Sequence, residues 1–397
     1  MGEWKNITLK NIVDSANTGL DAIKRAPIVL ENTGKKCLRI QDISQSKSFD
    51  NWGYTSVDQK NFEKFRLKRG DIIIARTGNT IGVNRYIEQD FASVYNNGLI
   101  RLRVNTDAAL PKYVFYNLRT KYFNDFIESI SGGTSTQPNM QIEVLLTLDL
   151  LLPPLPEQQA IAEVLSSLDD KIDLLHRNNK TLEQMAETIT KEFIIIENKQ
   201  GIKLKDYVLS ANTGLDAIKR APIVEKETDI KCLRIQDISQ EKPFIKWGNT
   251  EVEEGNFKKF QLKKHDIIMA RTCTPGINFI AREDLPAVFN NGLVRIRANA
   301  EKTHPIFLYY LFKSRDFIGH IDGISGGTSV QLNMQVGDLL DFDVSLADNK
   351  TQEKYLPLIL ELDNKISNNI KQLDKLKQTR DTLLPKLMSG QVRVELK

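Results

Sequence analysis

Three short segments gather side chains suited to gripping a polyanion and reading hydrogen-bonding edges. Asn17-Thr18-Gly19 runs on to Lys24-Arg25. Arg76-Thr77-Gly78-Asn79-Thr80 begins at the end of DIIIART, the most strand-like run of the first half, and continues past it, and residues 131–137 set Thr134 and Gln137 among glycines. Arginine pairs bidentately with guanine, while lysine and asparagine reach phosphates or adenine. Glycine lets a backbone approach a phosphate closely. Arg85 adds a fourth candidate cation. The plainer readings are a solvated turn at 17–25, a tight turn at 76–80 and a loop at 131–137 that only shapes its domain. Arg101 and Arg103 stand apart: in LIRLRV they share the face opposite Ile100, Leu102 and Val104, where solvent or intradomain ion pairs are expected.

These candidates return in the second half. SANTGLDAIKRAPIV at 15–29 recurs letter for letter at 210–224, bringing Asn212, Thr213, Lys219 and Arg220. DIIMART supplies Arg271 and Thr272, followed by Thr274, and the later loop supplies Thr328 and Gln331. The offset between copies is constant except for one residue lost between Arg271 and Asn290. A period this long is a duplicated domain and not a solenoid repeat. Two similar modules suit a partner with an approximate two-fold axis. Double-stranded DNA carrying an inverted repeat is the commonest such partner.

Catalytic chemistry is harder to find. Of the three cysteines, Cys37 and Cys232 are repeat mates in apolar strand-like segments and Cys273 stands alone, so neither a disulfide nor a metal cluster is suggested. Four scattered histidines add nothing to this, and there is no phosphate-binding GxxxxGK[ST] loop or zinc-binding HExxH. A self-contained adenine methyltransferase should carry a Gly-rich cofactor loop and an Asp/Asn-Pro-Pro-aromatic motif, but the only Pro-Pro here, Pro153-Pro154, follows leucine. The net charge of +4 is mild, so any nucleic-acid footprint must come from local clusters. No apolar run approaches the roughly 18 residues that span a bilayer, and MGEWKNITLK has no apolar signal region. A cytoplasmic chain without a membrane partner is expected.

The elements that must position these residues repeat as well. Alternation and β-branched residues predict strands at 37–40, 71–75, 83–87 and 99–104, then a helix from Pro111 to about Ile130 and a strand near 147–152. LPPLPEQQ fixes the chain direction before a long helix. From Ile161 to Phe193 apolar residues step by four and three, with Asn179 as the one polar member, and a matching seam runs from Tyr355 to Leu387 through Asn369. Packed antiparallel with Asn179 facing Asn369, the seams set Leu175 against Leu373, Leu182 against Ile366 and Phe193 against Tyr355. An Asn opposite Asn costs stability yet penalises slipped registers. The alternative is two amphipathic helices that each cover only their own domain. A seam of this length is about 48 Å at roughly 1.5 Å per residue.

The expected fold is therefore α+β and pseudo-two-fold symmetric. Two similar mixed α/β domains, 1–152 and 199–346, are each followed by a long helix, 153–198 and 347–397, and the helices form an antiparallel coiled coil. Two readers related by a dyad see the same word on opposite strands, so the target is a split inverted repeat.

The duplicated domain, LPPLPEQQ leading into a long helix, the ART-GNT-IG loop at 75–82, NNGLIRLR at 96–103 and SGGTSTQPNM at 131–140 together resemble the specificity subunit of type I restriction-modification systems. The resemblance covers essentially the whole chain. It implies two target recognition domains, a coiled coil of two conserved helical regions and a bipartite DNA site with an unread spacer. It further implies two modification subunits that methylate adenine N6 from S-adenosylmethionine, and restriction subunits that use ATP and Mg²⁺. This chain itself would bind no cofactor or metal and carry no catalytic residue. The rival readings are an autonomous methyltransferase or nuclease with an unrecognised site, and a scaffold that never binds DNA. Exposed helix positions such as Gln158, Glu163 and Lys171 are candidates for docking the modification subunits. Because the two domains are close relatives, the half-sites should be nearly the same word. The domains differ where it could matter, at Gly78-Asn79-Thr80 against Cys273-Thr274-Pro275 and at Arg85 against Phe279, so the half-sites should differ at one position.

Overall fold

Residues 3–131, 139–196, 201–325 and 333–395 are described by a computed structural model. Contacts divide the chain into two units, 1–172 with 376–397, and 173–375, so each unit takes one end of each long helix.

In the first unit an antiparallel four-stranded sheet runs in the order Val13–Thr18, Leu99–Val104, Ile72–Ala75, Asn84–Tyr86. A second sheet orders Ile28–Val29, Gly53–Thr55, Lys36–Leu38 and Ser93–Tyr95, the last pair parallel. Strand Ile72–Ala75 is an unbroken apolar run because both its faces are covered. Ile72 and Ile74 join Ile100, Leu102, Tyr113 and Phe123 in one core, while Ile73, Ala75 and Leu99 join Trp52, Phe65 and Tyr95 in another. A short ribbon, Lys5–Thr8 with Asp149–Leu152, leads into the first long helix, Leu155–Ile189.

The expected single helix after Pro111 is two, Pro111–Asn117 and Lys121–Ser131. The break is chemical: Thr120 Oγ1 donates to the Asn117 carbonyl and accepts the Phe123 amide, so the hydroxyl ends one helix and caps the next. Gln158 also departs from expectation. It is 1% exposed and its side-chain amide joins the Leu110 N–H to the Pro153 carbonyl, so it is a buried clasp and not a docking position.

The second unit repeats these parts. Its sheets order Val208–Thr213, Leu293–Ala298, Ile267–Ala270, Asn278–Ile280, and Ile223–Val224, Gly248–Thr250, Lys231–Leu233, Ala287–Phe289. Gln352 repeats the Gln158 clasp, donating to the Lys302 and Ala347 carbonyls.

Within each unit the long helices, Leu155–Ile189 and Asn349–Met388, run antiparallel. In the second unit Asn369 Nδ2 donates to Asn179 Oδ1 at 2.7 Å, and Phe193 stacks on Tyr355 with centroids 4.4 Å apart. Leu175 and Leu373, one heptad step away from the asparagines, are buried. In the first unit Ile161 and Leu165 share a core with Leu384, Leu387 and Met388, and Arg380 Nη1 donates to Asp169 at 3.0 Å. Asp169 also accepts from Tyr116 and Arg119, tying the mixed domain to the helices. Its repeat mate Asp363 has changed partners and takes Arg282 in a forked pair, with Nη2 at 2.8 Å.

Candidate nucleic-acid interface

Most of the described sequence candidates are brought together at one end of the four-stranded sheet. In the first unit the Gly19 N–H donates to Leu99 O, Asn97 N–H to Leu20 O, and Arg76 N–H to Gly98 O. Segments 17–20, 76–80 and 96–98 are thereby stitched into one edge. Asn139 and Met140 complete it, since Thr77 bridges Asn139, the Met140 N–H donates to Arg76 O and Arg76 Nε donates to the Met140 carbonyl. In the second unit Gly214, Asn291 and Arg271 make the same contacts, and Arg271 Nη2 also donates to Asn333 Oδ1 at 2.9 Å. The crossing is tight: a Cβ on Gly19 would sit 2.1 Å from Tyr95 O, and one on Gly214 2.2 Å from Phe289 O. Only glycine fits there.

Asn17, Thr18 and Thr213 are half-exposed at this edge, Asn212 is exposed, and Thr77, in extended backbone, leads into a 3-10 turn, Gly78–Thr80, entered at Gly78 with φ +74° and carrying Asn79 and Thr80. The shorter second copy enters through Cys273 at φ +61°, with Thr272 half-exposed and Thr274 exposed. Lys24, Arg25, Lys219 and Arg220 lie on exposed turns leaving the same edge. The Arg25 guanidinium beside Asp21 holds that carboxyl down to about 2, and Arg220 does the same to Asp216. Thr134, Gln137, Thr328 and Gln331 lie outside the described residues.

Arg85 and Phe279 sit a strand away. Arg85 donates to Lys47 O at 2.7 Å and covers the Trp52 ring, while Phe279 packs edge-on against Trp247. Arg101 and Arg295 are buried and hold the Arg66 and Gln261 carbonyls; Arg103 and Arg297 pair with Asp71 and Asp266 at 2.8 and 2.6 Å. Burial presses the Arg101 and Arg295 pKa values down, whereas the carboxylates raise those of their neighbours. These four arginines brace the domain.

Sequence reasoning overlooked Asn96 and Asn290, whose buried Oδ1 atoms find no partner among the described residues. The signal was available in the repeated NNGL, but nothing in the letters says which amide turns inward. Among the described residues no group of His, Cys, Asp and Glu could hold a metal ion, and no helix is long and apolar enough to cross a membrane.

This twice-built edge, two mixed domains and a pair of antiparallel helices define a duplicated recognition protein. The family model for the type I restriction modification DNA specificity domain matches residues 1–184 and 216–378, and the chain belongs to that family. It is similar to the type I restriction enzyme MjaIX specificity subunit of Methanocaldococcus jannaschii, 24% identical over 86% of this chain and 84% of that one. The MjaVIII specificity subunit of the same organism is 22% identical over 83% of this chain and 80% of its own length. The fold matches the crystal structure of the type I restriction-modification S subunit from M. genitalium with a TM-score of 0.57, at 18% identity, over 97% of this chain and 96% of that one.

Proposed function

We propose that this chain is the sequence-reading, non-catalytic subunit of a type I restriction-modification complex. It recognises a bipartite, quasi-palindromic duplex and directs adenine-N6 methyltransferase subunits, two in number, and restriction subunits to it. S-adenosylmethionine, ATP and Mg²⁺ serve those partners. The observation that carries the reading is the same edge of glycines, amides, hydroxyls and arginines built twice in one chain. Such donors match phosphates and base edges, and closely related modules match closely related half-sites. The match to specificity subunits along most of the chain supports the assignment.

Titrating the purified chain against duplex DNA over a salt series tests the reading. A log–log slope of about −0.9 per neutralised phosphate is expected. Incubation with S-adenosylmethionine or Mg²⁺ should leave the DNA unchanged. Absence of salt-dependent binding would favour a scaffold, and methylation or cleavage by the chain alone would favour an autonomous enzyme.

A further inference from the structure

We propose that Ile23 and Ile218 are apolar reading tips, each pressing on a thymine methyl group at the same position of its half-site. The inference rests on the DNA-reading role above.

Each isoleucine crowns a turn that leaves the sheet edge directly after the crowded glycine. Asp21 Oδ1 accepts the Lys24 N–H at 2.7 Å, its backbone carbonyl accepts the Ala26 N–H at 3.0 Å, and Oδ2 accepts Arg25 Nε at 2.7 Å. Asp216 makes the same three contacts with Lys219, Ala221 and Arg220 at the same distances. With the turn closed in this way, Ile23 is left 85% exposed and Ile218 84%.

A single exposed isoleucine is ordinary on any protein surface. The comparison between copies separates this pair from that background. Among the described residues, the other large apolar side chains more than half exposed are Leu30, Tyr122, Leu209 and Ile245. Their repeat mates are Glu225, Asp316, Asp14 and Asp50, so each position accepts an acid that DNA would repel. Ile23 and Ile218 are instead the same residue, each followed by a lysine and an arginine. A block of identity runs from Ser15 to Val29 and stops at Asp14/Leu209 on one side and Leu30/Glu225 on the other. Among the described residues of this block the other exposed large apolar side chains are Ile28 and Ile223, 39% and 40% exposed, whereas a protein partner would need a wide apolar patch. Flanking cations suit a polyanion. The one apolar group that base pairs present in the major groove is the thymine methyl, which a rigid β-branched tip can meet while its neighbours hold phosphates.

The test uses the full chain and a duplex enriched by it from a random-sequence pool. Deoxyuridine then replaces thymine one position at a time. Wild type should lose roughly three- to tenfold in affinity at one position in each half-site, as expected for losing one buried methyl contact. Ile23→Ala should abolish that sensitivity in one half and Ile218→Ala in the other, while binding to unselected duplex is unchanged. Because both side chains are exposed, the variants should fold as wild type does. Variants that keep wild-type affinity for the enriched duplex, or wild-type sensitivity to uracil, overturn the tips alone. A wild-type chain that enriches no duplex overturns the DNA-reading role and the tips with it.

Discussion

Gly19 and Gly214 fix the candidate interface more firmly than any charged residue does. Each brings a strand end within 2.1–2.2 Å, measured from a built Cβ, of a neighbouring carbonyl. Alanine must push that backbone aside, so Gly19→Ala should cost about 2 kcal/mol or more in urea unfolding. It should also weaken DNA binding beyond what the lost stability explains; unchanged binding in the folded variant would mean that the edge is not the interface. Much at this scale was legible. The bracing role of Arg101 and Arg103 follows from alternation within one strand, and the cationic turns follow from composition. Ile23 was not legible, because exposure depends on how Asp21 closes the turn. The packing of Arg85 was not legible either, because a strand of three residues does not announce that its middle side chain covers an indole.

At the level of elements, β-branched runs and heptad spacing located the main strands and both long helices. What escaped was local hydrogen bonding by polar side chains. Thr120 divides a helix that periodicity joined, and Gln158 is turned inward at a helix surface that polarity marked as exposed. The Asn179–Asn369 contact is an element-scale device and can be tested as one. Asn179→Leu alone leaves the Asn369 amide facing a hydrocarbon and should cost about 1–2 kcal/mol in unfolding. Adding Asn369→Leu should restore wild-type stability or exceed it. Strictly additive losses would show that the two amides do not act as a pair.

For the molecule as a whole, the duplication joins the observations. The copies agree across the turns, glycine crossings and buried arginines of the modules. They part at the loop after Arg76 and Arg271, where the second copy is one residue shorter and places Cys273 where the first has Gly78. A reader built this way should recognise two half-sites that are nearly one word, differing where that loop differs. Mapping N6-methyladenine by sequencing the DNA of the organism that carries this chain tests the claim most directly. A split motif whose halves are inverted copies differing at about one position is expected; a motif with two unrelated half-sites would contradict a duplicated reader.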